Sequence, residues 1–374
     1  MRPTHTAEIM NRHRGVRERP EQPYIRAGIA AMAAVAAMVI LAVIEKRMTG
    51  SWGFADRTPL IDAALLGRSV LALLLSALFI LPFTRNARVR AVPAMGAKEQ
   101  MLGWASLVLS IVFLGIFLSS PELFSALARE DHSVEWSSAL ALFAGCGLLL
   151  WSSVRFLRSR HAMSGFNAAL CSAGALLLAA CLFVVGMEEI SWMQRVFDIQ
   201  TPEVLIEANM QEELNFHNLF TNLFELLYYG GSFVFLMLLP FLKEVAPLPA
   251  VLRTIGPLIP GRVVLAVSAP IAAFNYDMWH LLPIQMVLIL SLAILVRAAM
   301  TAPGRTEAVL FAAAALLLAV SQVLMIAFGD QLVRLWDPTE YKELFIGLGF
   351  ACYGGEVAVR AARGMVLAPR GVRV

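Results

Sequence analysis

Glu188 and Glu189 stand side by side in the run Gly186-Met187-Glu188-Glu189-Ile190-Ser191-Trp192-Met193-Gln194-Arg195. Adjacent carboxylates in unequal surroundings have separated pKa values, which suits them to acid–base work or to holding a cation. If the helix carrying them continues, Glu188, Trp192 and Arg195 share one side at steps of four and three. Arg195 then holds one carboxylate and leaves the other freer, although a structural Glu–Arg pair under a tryptophan fits the same spacing. A second group, Gln211, Asn215, Asn218, Asn222, Glu225 and Tyr229, also falls at steps of four and three, within about an 80° arc of a helix. Glu213 and His217 lie within that stretch. Farther on, Asp277 and His280 are three apart, so one helical turn brings a carboxylate to an imidazole. That pair is a general base with its orienting acid, a metal ligand with its backing group, or two satisfied surface groups. The candidate catalytic residues are therefore Glu188, Glu189, Glu213, His217, Asp277 and His280. The candidate substrate or ion path runs through Arg195, Gln211, Asn215, Asn218, Asn222 and Glu225.

The elements that position these groups are membrane helices. The chain has 374 residues, 59% of them hydrophobic and only 15% charged, with a mean hydropathy of +0.71. A soluble domain is nearer half apolar and a quarter charged, so too little polar surface remains to face water. A soluble enzyme, a nucleic-acid-binding module and a disulfide scaffold are excluded as descriptions of the whole chain. Cys146, Cys171, Cys181 and Cys352 all lie in apolar stretches without metal-ligand spacing and read as packing residues. A span needs roughly 20 apolar residues. Runs at 27–44, 60–83, 101–119, 136–154, 166–187, 218–242, 263–279, 281–296, 308–328 and 344–360 meet or approach that length. The expected fold is an all-α integral membrane bundle of about ten transmembrane helices. The seventh and eighth runs are short and carry Pro270 and Pro283, so they form a tight hairpin or a broken, partly re-entrant pair.

With the N-terminus in the cytoplasm, the cytoplasmic segments collect most Lys and Arg, and the outer segments collect most Asp and Glu. Both termini are then cytoplasmic and the protein resides in a bacterial inner membrane. Residues 1–26 and 361–374 are basic tails around a single membrane domain at 27–360. The apolar run after Arg26 ends in Ile44-Glu45-Lys46-Arg47, with no small-residue cleavage site, and reads as a retained anchor. Trp52, Trp136, Trp192, Trp279 and Trp336 fall at the outer interface as an aromatic belt. Thr201-Pro202-Glu203 has the residues of a helix start, and an interfacial amphipathic helix leading into the sixth span follows from Val204, Leu205, Ala208 and Leu214. Glu225 lies about two turns into the membrane, where lipid does not accept it, so its stripe faces protein or a wet cavity. Asp62 and Arg68 are close enough to the outer interface to snorkel. Asp330, Arg334 and Asp337 read as a salt-bridged helix end, and Glu356 with Arg360 as an ion pair.

Glu-Glu-Ile-Ser-Trp-x-Gln-Arg, then Thr-Pro-Glu, then Glu-x-Asn-x-Gln-x-Glu-x-Asn-x-His-Asn, spanning residues 188–218, resembles the hallmark of a bacterial family of multi-span membrane proteins of no known activity. Met193 stands where that pattern has Gly, and Glu212 where it has a small or neutral residue. The resemblance implies no reaction and no catalytic residue. Three functions stay open. One is a membrane-embedded enzyme acting on a lipid or lipid-linked glycan at the outer leaflet, with a carboxylate base and a divalent cation as its possible cofactor. Another is a transporter or flippase with a polar path along the sixth helix. The third is a non-catalytic envelope-assembly partner that docks another protein. Membrane lipid is the expected partner and nucleic acid is not.

Overall fold

The computed structural model describes residues 22–50, 57–84, 93–129, 132–158, 164–194, 196–201, 221–246 and 248–363. These residues form an all-α polytopic bundle with no strand among them, and nine of its helices are long and apolar enough to cross a membrane. In chain order they are α1 (Gln22–Thr49), α2 (Ala63–Thr84), α3 (Ala97–Ser119), the short α4 (Pro121–Leu127), α5 (Ser133–Arg158), α6 (Gly165–Glu189) and α7 (Thr221–Phe233, continued by Leu239–Val245). After these come the short α8 (Ala250–Thr254) and α9 (Arg262–Val267), then α10 (Leu282–Met300), α11 (Arg305–Phe328) and α12 (Asp337–Ala362).

Local chemistry sets the boundaries. The Asp62 carboxylate accepts from Leu65 N at 2.7 Å to start α2. Ser120 accepts from Leu123 N, with Pro121 behind it, to start α4, and Ser164 accepts from Asn167 N to start α6. Within α7 the turn Val234–Leu238 is π-helical. Pro240 cannot donate to the carbonyl four residues earlier, and a wide turn just before it absorbs the lost bond. Large apolar side chains such as Leu66, Leu73, Leu177 and Leu316 are exposed on the outer faces, as lipid contact requires. α5 lies against both α6 and α12. A Cβ at Gly347 of α12 would come within 2.9 Å of Ser138 O, so the two backbones touch there.

The seventh crossing is not a helix. α9 is followed by a 3₁₀ turn (Ala269–Ala272) and then by irregular chain to Leu281, and every residue from Arg262 to Leu282 is buried. The short seventh run is thus a broken crossing that passes from one end of the bundle to the other, and α10 returns as a full helix. Irregular backbone survives in an apolar interior only where protein groups take up its hydrogen bonds, and here they do. Ser106 Oγ donates to Val267 O (2.7 Å), Asn275 Nδ2 to Ala272 O (2.8 Å), Gln322 Nε2 to Asn275 O (3.1 Å) and Tyr353 Oη to Leu258 O (2.8 Å).

One end of the bundle, here the basic end, fixes the start of this segment with ion pairs. Arg262 Nε is 3.0 Å from Glu307 Oε1 and 3.4 Å from Glu244 Oε1, and its Nη2 donates to Ala298 O at 2.8 Å. The second Glu307 oxygen accepts from Met95 N at 3.0 Å. Glu356 pairs with Arg360 as expected and also accepts from Gly261 N, while Arg360 donates to Pro257 O and Ile259 O. The opposite end, at which α6 stops and α12 begins, is the acidic end. There Arg334 pairs with Asp337 at 2.8 Å and donates to Ser125 O and Ala128 O, closing α12 onto α4 as a structural helix end.

Three expectations are corrected. Trp279 belongs to no interfacial belt: it is 9% exposed, inside the bundle. Arg68 does not snorkel, because it pairs with Glu45 at 3.2 Å and donates to His280 O at 3.4 Å. The helix bearing Glu188 does not continue past Glu189: Ser191, Trp192 and Met193 take positive φ of 45°, 54° and 58°. The expected interfacial helix lies almost wholly in residues 202–220, outside the described residues.

Candidate functional site

The site at the acidic end starts from the left-handed turn that stops α6. Three successive non-glycine residues at positive φ cost of order 1–3 kcal/mol each. The turn folds Trp192 back along the helix, where its Nε1 donates to Glu188 Oε1 at 2.6 Å. Glu188 is buried and serves to hold this turn. Its neighbour Glu189 lies beside the Ser138 hydroxyl of α5 and within electrostatic reach of Glu135 at the start of α5 and Glu343 near the start of α12, close enough for the carboxylates to repel.

α12 supplies three groups in its first two turns. Glu340 and Glu343 are one turn apart and lie within reach of each other and of Glu135 and Glu189. Lys342, between them in sequence, is 2% exposed, and its ammonium sits 4.2 Å from the centroid of the Tyr229 ring, a cation–π contact in a desolvated setting.

α7 faces these groups with Tyr228 and Tyr229. The Tyr229 hydroxyl donates to Glu343 Oε1 at 2.8 Å, and its ring also lies within electrostatic reach of Glu225, one turn earlier, and of Asp277. The Tyr228 hydroxyl is buried beside Glu189 and Glu343 and makes no hydrogen bond among the described residues.

Asp277 and His280 occupy the tight turn that ends the broken crossing, at 1% and 4% exposure. Trp279 N donates to Tyr276 O and Leu281 N to Met278 O, so the expected single turn forms. The α1–α2 pair grips that turn from behind. Arg57 N donates to Asp277 O at 3.2 Å, Arg68 reaches His280 O, and Glu45 pairs with both arginines.

Of the residues singled out in the sequence, Glu225 and Asp277 lie within electrostatic reach of the Tyr229 hydroxyl and Glu189 within reach of Glu343, while Glu188 holds the left-handed turn and His280 ends the broken crossing. Arg195, Gln211, Glu213, Asn215, His217 and Asn218 lie outside the described residues, as does the side chain of Asn222. The path along α7 stops early: the next positions of the stripe after Tyr229 are Phe233 and Leu236, both apolar and buried. Glu135, Glu340, Lys342, Glu343 and Tyr228 were not anticipated. The available signal was Glu340-x-Lys342-Glu343, two acids at a helical i, i+3 spacing around a lysine at the start of a span. Among the described residues no group of three or more His, Cys, Asp or Glu is placed to hold a metal ion.

Carboxylates in unequal surroundings, a tyrosine hydroxyl and a buried ammonium supply a proton acceptor, a proton donor and a fixed positive charge within one low-dielectric region. No protein family, curated protein or solved structure matches the chain.

Proposed function

We propose that this polytopic protein is a membrane-embedded enzyme that acts on a lipid or lipid-linked substrate at the outer leaflet of the bacterial inner membrane, with the acidic end facing outward. The bias of Lys and Arg toward the opposite end supports that orientation. The observation that carries the reading is the meeting of α5, α6, α7 and α12 at Glu343. There the Tyr229 hydroxyl donates to a carboxylate that Glu189 and Glu340 also approach. One carboxylate accepts a proton in the reaction, a protonated neighbour returns it, and Lys342 stabilises charge that develops between them. The closed apolar stretch below Tyr229 favours a one-sided site over a continuous path.

The test is purification of the full chain into vesicles of native lipid extract, with lipid composition followed over time by mass spectrometry. One lipid class should be converted, and Glu189→Gln and Glu343→Gln should each slow conversion by about 10²-fold or more without loss of folded protein. Conversion that survives both substitutions contradicts the reading. The broken, fully buried crossing supports a second reading, transport, because interrupted spans line the sites of many carriers. Substrate movement without chemical change, abolished by Glu225→Gln, would select it.

A further inference from the structure

Three features that loosen a helix follow one another along α7. Gly230 and Gly231 adjoin in its middle, the turn Val234–Leu238 is π-helical, and Pro240 comes next. Helices bend at glycine pairs, at wide turns and at proline. Glycine inside a helix is less stable than alanine, and close packing is the usual compensation. It is not the compensation here, since a Cβ on either glycine would meet nothing within 4 Å among the described residues.

The two sides of this point are held differently. The inner half, residues 235–245, is anchored. Leu236, Met237 and Phe241 are buried. The Phe235 ring stacks on Phe350 at 5.8 Å and meets Tyr353 edge-on at 4.9 Å, both on α12, and Ser291 Oγ on α10 reaches Met237 Sδ at 3.4 Å. In the outer half, residues 221–229, Phe224, Glu225, Leu226 and Tyr228 are partly exposed. Tyr229 ties that half to α12 with its hydroxyl on Glu343 and its ring under Lys342. A single hydrogen bond has a small net worth, whereas parting interlocked rings opens a void.

α7 also has two faces. Leu227, Gly231 and Val234, at steps of four and three, are exposed, and Tyr229, Phe233 and Leu236, at the same steps, are buried. The outer half therefore stands between the lipid beside Leu227 and the Tyr229–Glu343 contact.

We infer that the outer half of α7 is a hinged wall. It pivots at Gly230, Gly231 and the π turn, parts Tyr229 from Glu343, and admits a lipid from the bilayer to the acidic end. The inference rests on the reading of that end as a site for a lipid substrate, and it supplies the route by which the lipid arrives.

The full chain is placed in nanodiscs of phosphatidylethanolamine and phosphatidylglycerol. Trifluoromethylphenylalanine in place of Leu227 reports the wall by fluorine NMR, and the same probe in place of the exposed Leu140 on α5 is the fixed reference. Azidophenylalanine in place of Tyr228, whose hydroxyl is buried beside Glu189 and Glu343, captures lipid that reaches the site on illumination, read as an adduct by mass spectrometry. Two resonances are expected from the Leu227 probe and one from the Leu140 probe. Gly230→Ala with Gly231→Ala should lower both the minor Leu227 resonance and the adduct about fivefold, and both alanines fit without a clash. Tyr229→Phe, which frees the contact with Glu343 and leaves the glycines in place, should raise both readouts. A single Leu227 resonance, or a ratio and an adduct unchanged by the alanines, overturns the inference. A dimer that is lost in the alanine variant also overturns it, because the glycines would then serve a contact between copies. Neither readout needs turnover. The expected responses in a protein that converts no lipid contradict the enzyme reading and leave the hinge standing. Lipid conversion by a protein with one Leu227 resonance does the reverse.

Discussion

Buried charge is arranged in opposite ways at the two ends of the bundle. At the basic end the ions are matched. Arg262, with 5% of its side chain exposed, lies between Glu307 and Glu244, and Glu356 lies between Arg360 and the Gly261 amide. At the acidic end Glu189 and Glu340 lie within electrostatic reach of each other and of Glu135 and Glu343, with Ser138 beside Glu189, Arg334 within reach of Glu340 and Lys342 over the Tyr229 ring. A matched network fixes a segment in place, here the entry of the broken crossing. Like charges brought within reach of one another store repulsion that a proton or a counter-charge relieves. Burial of charge alone therefore does not mark a functional site; the two ends differ in whether opposite or like charges face one another.

The contrast predicts opposite responses to loss of charge. The largest effect is expected from Arg262→Met, which leaves Glu307 buried without its cation. The cost should be about 3–5 kcal/mol, read as a loss of folded protein in thermal or denaturant unfolding in detergent. Gly347→Leu should follow. It forces α12 away from Ser138 O on α5, at about 1–3 kcal/mol, and draws Glu340 and Glu343 away from Glu135, so the same variant should also lose turnover. Tyr229→Phe removes the donor to Glu343 and should destabilise by about 1–3 kcal/mol, less than Arg262→Met in the same unfolding assay. Met193→Gly should be the smallest and of opposite sign. It relieves a side chain held at φ 58° and should stabilise by up to about 1 kcal/mol. A destabilising Met193→Gly would mean that the methionine side chain contributes more to packing than its backbone conformation costs.

The parts of this arrangement that were legible in the sequence are those encoded within one helix. Nine apolar runs became long helices because a run of that length has one stable form in lipid. Tyr229 and Glu225 were found from their helical spacing, and Asp277 with His280 from a three-residue step. The acidic cluster itself was hidden, since Glu135 and Glu340 sit in first turns and Glu343 in the turn after, near helix starts where acids are ordinary partners of the helix dipole. Only the packing of α5, α6, α7 and α12 makes them neighbours. Arg262 and Glu307 fall just outside the apolar runs at 263–279 and 308–328, and their spacing in the sequence gives no sign that they pair. The left-handed turn at Ser191–Met193 had no local signal at all, because none of its residues is glycine. The short seventh run, with Pro270, did announce a break, and the structure fixes its course.

The most direct test of repulsion between carboxylates at the acidic end is a double-mutant cycle on Glu189 and Glu343, read as unfolding free energy. If the two carboxylates repel inside one shared site, Glu189→Gln and Glu343→Gln should each leave stability unchanged or raised, and the double variant should depart from additivity by about 0.5–3 kcal/mol. Two destabilising and additive substitutions would show that each carboxylate is separately satisfied, and the site described here would not exist.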